Sequence, residues 1–380
     1  MGPLDHIKVL DFSHAIAGPF CTKLLAGMGA QVTKIERPGT GDVARAYGPF
    51  PGDEPHPEKS GMFLYLNTGK RSIILDLKHP KARRLIRPLI EEADIIVENF
   101  RPGVMESFGL GYAALRRTNR RASLISISNF GQTGPYRDYK ASDLIAYAAG
   151  GYMYTTGAND RAPLKHGGTV AQMMGGLTGL SAAMTALTGR HLTGEGQQVD
   201  VSIQEVVASQ LGGRALHYSY EGSIPRREPP DIAGFGGVAP CKDGYVYYTT
   251  RDPDMLASFT GIDIPEERDS SQVLAAWLKG QDKQVLFHES QVYRLAWAMA
   301  QDAEDLLACP QLDARGFWEG IPHPAAGTHR FPGSAMNMTR TAMNVAERAP
   351  LLGEHNEEVY CGVLRISRKR LAAFQREGLF

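Results

Sequence analysis

What most constrains this chain is a repeated change of hydrophobic period near its start. IKVLDF at residues 7–12 is a short apolar run, Pro19 to Met28 has helical spacing, and QVTKIE at 31–36 is a second run. Together they read as a strand–helix–strand unit. The alternation continues: helical periodicity from Lys81 to Ala93 leads into IIVENF, which stops before Pro102 and Gly103, and LISISNF at 124–130 ends at Gly131. Apolar strands joined by helices specify a mostly parallel α/β sheet covered on both faces. Ligands of such sheets lie beyond the carboxyl ends of the strands. The segments after Phe12, Glu36, Phe100 and Phe130 are therefore where functional residues are expected.

A chain of 380 residues is long enough for two folding units. A long helix is expected over residues 170–188, where Gly175, Gly176 and Gly179 imply close packing against a neighbour, and another from Ser202 to about Tyr220. SIPRREPPDIAGFGG at 223–237 reads as the linker between units, and Asp243-Gly244 between short apolar runs reads as a hairpin turn. Helices are expected near 271–279, 284–300 and 302–308, and again in the tail near 355–375.

Composition narrows the function classes. Hydrophobic residues at 43% and charged residues at 22% suit a folded globular chain. Lys plus Arg and Asp plus Glu balance at 41 each, so no global field draws the chain to nucleic acid or an acidic membrane. Cys21, Cys241, Cys309 and Cys361 form no metal-like spacing. No signal peptide or membrane span is read, which makes a reduced cytoplasmic setting the expectation, with no metal. The basic run Arg116, Arg117, Arg120 and Arg121 is read as solvated.

The common nucleotide and hydrolase motifs are missing. AGMGA at 26–30 closes the first helix rather than opening it, which disfavours a dinucleotide site, and G-x-x-x-x-G-K-[ST], G-x-S-x-G and H-E-x-x-H do not occur. The loop RPGTGD after Glu36 sets Arg37 beside two glycines. On its own it suits either a surface turn or a phosphate or adenine contact.

The ordered set of blocks says more. VLDFSHAIAGPF at 9–20, KIERPGTGD at 34–42, GKRSIILDLK at 69–78, VENFRPGV at 97–104, SNFGQTGPY at 128–136 and TGEGQQVDVSIQE at 193–205 follow one another. PCKDGYV at 240–246, CPQLDARGF at 309–317, FPGSAMNM at 331–338 and LLGEHNEEV at 351–359 complete the series. Together they resemble the class III CoA-transferases, the formyl-CoA transferase group that also holds carnitine CoA-transferase-like proteins and α-methylacyl-CoA racemases. The resemblance implies a Rossmann-like large domain, residues 1–222 with the tail 331–380, a smaller α+β domain over 223–330, and an interlocked dimer. It implies a coenzyme A site at Ile16, Ala17, Arg37, Leu75, Asp76, Leu77, Lys78, Asn99, Phe100 and Lys140, with Asp143 at its edge. Lys78 or Lys140 alone would be read as solvated, but the ordered context makes each a phosphate ligand. Ser107 stands where some relatives supply an arginine. AGFGG at 233–237 resembles the mobile loop that covers the active site, with Gly236 and Gly237 as substrate contacts.

The same resemblance exposes a gap. Its carboxylate nucleophile attacks the thioester and forms a mixed anhydride, and alignment puts that position at Gln172. Residues 161–194 contain neither Asp nor Glu, so no shift of register restores it. Asp143 and Glu205 are the nearby acids that could stand in. The racemase branch also loses its acid–base pair, with Ser142 where a histidine is expected. Three readings follow, in order. The first is the non-nucleophilic subunit of a heteromeric CoA-transferase acting on an acyl-CoA and a carboxylic acid. The second is a silent acyl-CoA-binding protein, and the third an acyl-CoA isomerase with altered chemistry.

Overall fold

The computed structural model describes residues 2–224, 227, 235–250, 252–262, 270–341, 343 and 347–380. The chain divides into two compact units. One contains residues 1–157, 162–225 and 316–380, and the other 158–161 and 226–315.

The first unit is built on six strands: β1 (Lys8–Asp11), β2 (Gln31–Glu36), β3 (Lys70–Ile74), β4 (Ile95–Glu98), β5 (Ser123–Ser128) and β6 (Gln198–Ser202). All neighbouring pairs are parallel, in the order β3-β2-β1-β4-β5-β6. The order runs outward from β1 in both directions, so the connections leaving β1 and β4 diverge and open a crevice between their carboxyl ends.

The helices of this unit begin with α1 (Ala17–Gly27), α2 (Gly61–Leu66), α3 (Ala82–Glu92), α4 (Val104–Ser107) and α5 (Tyr112–Thr118). They continue with α6 (Asp143–Ala149), α7 (Val170–Thr193), α8 (Ile203–Ser209) and α9 (Gly213–Glu221). Adjacent strand residues point to opposite faces, and both faces are apolar. Val9, Ile95 and Ile125 join α1, α6, α7 and α8 in one core, while Leu10, Ile96 and Leu124 join α3, α5 and the C-terminal tail in another.

The glycines of α7 have their neighbours. A Cβ on Gly176 would lie 2.5 Å from the carbonyl oxygen of Ala17, and one on Gly179 would lie 2.6 Å from Ile127 Cδ1. The tail closes the free edge of β3: Ile74 N donates to Asn356 Oδ1 at 2.8 Å, Ser72 N donates to His355 Nδ1 at 3.1 Å, and Tyr360 Oη donates to Ile74 O at 2.8 Å. Covering an edge in this way removes a site of unwanted strand pairing. That gives the LLGEHNEEV block a structural role.

The second unit contains the expected hairpin, β7 (Phe235–Cys241) antiparallel to β8 (Gly244–Thr250), with its own core around Val246, Leu256, Leu278 and Trp297. Three expectations are corrected. The helix expected from Ser202 to Tyr220 is two helices, α8 and α9, separated at Gly212, whose φ of 54° and ψ of −126° leave the helical region. The helix expected over 284–300 stops at Val292, and β9 (Ala298–Met299) instead pairs with β8. Gly236 and Gly237 are not loop residues but part of β7, opposite Thr249 and Tyr248; the rest of the 223–237 linker lies mostly outside the described residues.

Candidate active site

The crevice between β1 and β4 is built over a buried ionic network. Asp11, at the end of β1, accepts from Thr22 Oγ1 at 2.6 Å and Lys70 Nζ at 3.1 Å. Lys34 Nζ lies 2.7 Å from Asp42 Oδ2 and donates to Ser13 O at 2.7 Å. Burial pushes the Asp11 carboxyl up, but Lys34 and Lys70 outweigh it and hold the group below the ordinary carboxylate range. Buried charges persist only when paired and hydrogen-bonded. Here the pairing fixes the loop after β1: Asp42 Oδ1 accepts from Ala15 N at 2.9 Å, in a residue held at φ 64°.

That loop is joined to the one after β4. His14 N donates to Asn99 Oδ1 at 2.8 Å, and Asn99 Nδ2 donates to His14 O at 2.7 Å. Burial, and after it Lys34, lowers the His14 imidazole to about 4, so it is neutral at pH 7. Phe100 lies beside His14 with ring centroids 5.7 Å apart, and its N–H donates to Glu98 Oε2 at 2.8 Å. Burial raises the Glu98 carboxyl to about 7.

Two cavities open from this junction. The larger, of about 460 Å³, is lined by His14, Ile35, Glu36, Arg37, Leu75, Asp76, Leu77, Lys78, Phe100, Arg101, Val104 and Phe108. It is within the range of a cofactor site, with an apolar floor and a few charged groups at its rim. The smaller, of about 70 Å³, is lined by Asn99, Phe100, Arg101, Pro102, Ile127, Ser128, Asn129, Phe130, Arg137, Tyr139, Gln172 and Ile203. Phe100 and Arg101 line both.

Gln172 is held at the first turn of α7 from two sides. Its backbone N–H donates to Asp143 Oδ1 at 3.0 Å, and its side-chain Nε2 donates to Asn129 Oδ1 at 3.1 Å. Asp143 thus caps α7 from the start of α6, and its other oxygen is 3.0 Å from Lys165 Nζ. A carboxamide in this position is neither a base nor a useful nucleophile.

The sequence-predicted residues divide clearly. Arg37, Leu75, Asp76, Leu77, Lys78 and Phe100 come together around the larger cavity, and Asn99, Phe100 and Gln172 around the smaller. Asp143 touches Gln172 without lining either. Ile16 and Ala17 are buried where α1 begins, with Ala17 O against Gly176, and they line neither cavity. Lys140 is exposed and also lines neither, although its neighbour Tyr139 does. Ser107 turns its hydroxyl to Val104 O at 2.7 Å. Gly236 and Gly237 belong to the second unit. His14, Arg101, Val104, Phe108, Asn129, Arg137 and Tyr139 were not picked out by sequence, though His14, Arg101, Val104 and Asn129 lie inside blocks that were.

Comparison with known proteins gives the family and the fold. Residues 4–356 match CoA-transferase family III. The chain is 35% identical to the succinyl-CoA:mesaconate CoA-transferase of Haloarcula hispanica, covering 94% of this chain and 96% of that one. It is 31% identical to the succinyl-CoA:(R)-benzylsuccinate CoA-transferase subunit BbsE of Thauera aromatica, with 94% of each covered. The crystal structure of a CaiB/BaiF family protein from Brucella suis superposes with a TM-score of 0.86 at 28% identity, over 95% of this chain and 99% of that one.

Proposed function

The chain belongs to CoA-transferase family III, and from that premise we propose that it is the non-nucleophilic subunit of an enzyme that moves coenzyme A between carboxylic acids. A homologous Asp-bearing chain, interlocked with it as a cytoplasmic heterodimer, supplies the covalent step. The observation that carries the reading is the pairing of an intact coenzyme-sized cavity with Gln172 at the adjoining one.

In this reading the larger cavity receives coenzyme A. Arg37 and Lys78 meet its phosphates, Leu75 and Leu77 provide apolar surface for the adenine, and Arg101 adds a cation at the junction. The loops after β1 and β4, tied by Asn99, hold the chain that carries the thiol. Transfer then requires a carboxylate to attack the thioester carbonyl, release the thiolate and form an anhydride. Gln172 has no carboxylate to offer, and the described residues that line its cavity include no other acid. One relative is named as a subunit of its CoA-transferase, which supports a reading in which this chain is one of several in the enzyme.

Co-expression with an Asp-bearing homologue tests this. A mixed complex with transferase activity absent from this chain alone is expected. Exclusive self-association, or turnover by the isolated chain, would count decisively against it.

A further inference from the structure

The four buried acids among the described residues are not treated alike. Asp11, Glu36 and Asp42 each face a cation: Lys70 at 3.1 Å, Arg45 at 2.8 Å and Lys34 at 2.7 Å. Glu98, at the end of β4 and 4% exposed, makes no ion pair among the described residues. Buried carboxylates ordinarily carry a paired charge. Without one, desolvation favours the neutral form.

Its surroundings reinforce this. Strand register puts Glu98 opposite Ser126 of β5, and Ser126 opposite Asp200 of β6, in one row on the face that carries Ile96 and Leu124. Asp11 of β1 points to the other face by the same alternation, and Lys34 and Lys70 already neutralise it. The nearest cation in sequence, Arg101, lines both cavities and makes no ion pair with Glu98. Burial raises the carboxyl to about 7, and the acids Glu106 of α4 and Asp200 add to that, while Ser126 and the Phe100 N–H draw it down.

Two acids of that row hold two loops in the same way. Glu98 Oε2 accepts from Phe100 N at 2.8 Å, and Asp200 Oδ2 accepts from Gln132 N at 2.8 Å. Asp200 is exposed and keeps its charge in water; Glu98 is not. The Phe100 ring lies 5.7 Å from that of His14 and 6.0 Å from that of Phe108, both of which line the larger cavity. A shift of the Phe100 backbone therefore moves the wall that the two cavities share.

We propose that Glu98 is a positioning residue: its carboxylate holds the Phe100 N–H, fixes the common wall, and ties ligand uptake by the larger cavity to the charge state of one buried acid. An ionised acceptor makes the shorter and stronger bond. Once protonated, the group keeps only a neutral oxygen for Phe100. The wall is firm when Glu98 is charged and looser when it is neutral, so affinity rises as pH climbs through about 7. What occupies the larger cavity rests on the coenzyme reading; the grip of Glu98 on Phe100 does not.

Amide NMR of the deuterated full chain, from about pH 5.5 to 8.5, tests the grip directly. In the parent the Phe100 amide proton is expected to move downfield with a midpoint near 7. Glu98→Gln keeps an acceptor oxygen but cannot ionise, and its Phe100 amide should stay still. Dephospho-coenzyme A, which lacks the monoester phosphate that itself titrates at about 6, then reads the cavity by calorimetry. Affinity should rise about three- to ten-fold over the range in the parent and be flat in Glu98→Gln. Glu98→Ala, with no acceptor, should bind about ten-fold or more weakly than the parent at the alkaline end. A parent Phe100 amide unmoved by pH overturns the proposal. So does a Glu98→Gln variant that keeps the parent's response, or a folded Glu98→Ala variant that binds as the parent does throughout. If the parent fails to bind dephospho-coenzyme A at every pH, the coenzyme reading falls, and the Phe100 shift still decides the role of Glu98.

Discussion

Asn99 grips His14 by both ends of its peptide, accepting from its N–H at 2.8 Å and donating to its carbonyl at 2.7 Å. One side chain thereby locks together the loops that leave β1 and β4, the two parallel strands between which the strand order reverses. The crevice walls are fixed relative to each other before any ligand arrives.

Asn99→Ala should therefore weaken both the fold and the site. Two part-buried hydrogen bonds are lost and their backbone partners are left unmet, at roughly 1–3 kcal/mol each. Urea unfolding should show a loss of about 2–4 kcal/mol, and coenzyme A affinity measured by calorimetry should fall by about ten-fold or more. An unchanged midpoint with unchanged affinity would mean that the loops are held by something else.

Gln172→Asp should restore part of the covalent chemistry if the surrounding pocket is intact. The variant, incubated with an acyl-CoA and then hydroxylamine, is expected to yield a hydroxamate at position 172 by mass spectrometry. Bound acyl-CoA with no trapped adduct would show that the neighbouring groups no longer support the anhydride.

Lys23 gives a pH-dependent prediction. Its ammonium is buried over the Tyr65 ring, 3.4 Å from the centroid, and burial followed by repulsion from Lys70 lowers it from 10.5 to about 7. The unfolded chain then holds more protons than the folded one between those values. Stability from this group accordingly rises as pH goes from about 7 to 10.5 and is lowest below 7. The span is on the order of 3–5 kcal/mol. Lys23→Met should flatten that rise, stabilising the protein relative to the parent at pH 6.5 and much less at pH 9.5. Parallel denaturation curves at the two pH values would decide it.

The close approach of α1 and α7 at Gly176 offers a test, with Gly167 ahead of α7 as its control. A methyl on Gly176 would meet Ala17 O at 2.5 Å, whereas Gly167 has nothing within 4 Å. Gly176→Ala is expected to push α1 from α7 and cost about 1–3 kcal/mol, and Gly167→Ala to leave the melting temperature within a degree or so. Thermal melts of the two side by side would settle whether the close approach is required.

The parallel sheet could be read because its strands are short apolar runs set between helical spacings. β1, β2 and α1 fall where period alone puts them, and the tightness at Gly176 and Gly179 was visible as glycines in a helix that did not need them. β3, β6 and the hairpin β10 (Trp318–His323) with β11 (Gly327–Pro332) were not recognised. The first two are short and partly polar, and the hairpin alternates too weakly to stand out. Order of blocks named Arg37, Leu75 to Lys78, Asn99 and Gln172, which the fold gathers around the two cavities. It could not separate Ile16 and Ala17, whose position at a helix start serves packing, from residues that face a cavity. Arg137 and Tyr139 reach the site only because the segment after β5 folds back toward α7, a tertiary fact with no local signature.

The reversal of strand order at β1 has a consequence for how such a chain can change. The crevice exists because two connections part company there, and its floor is a set of buried ion pairs on strands far from position 172 in sequence. On the proposed reading, an acid lost from the tip of α7 leaves that architecture untouched, so that reactivity is the replaceable part and the seat for the ligand is not. A duplicated copy could surrender the first while the second continues to be inherited whole.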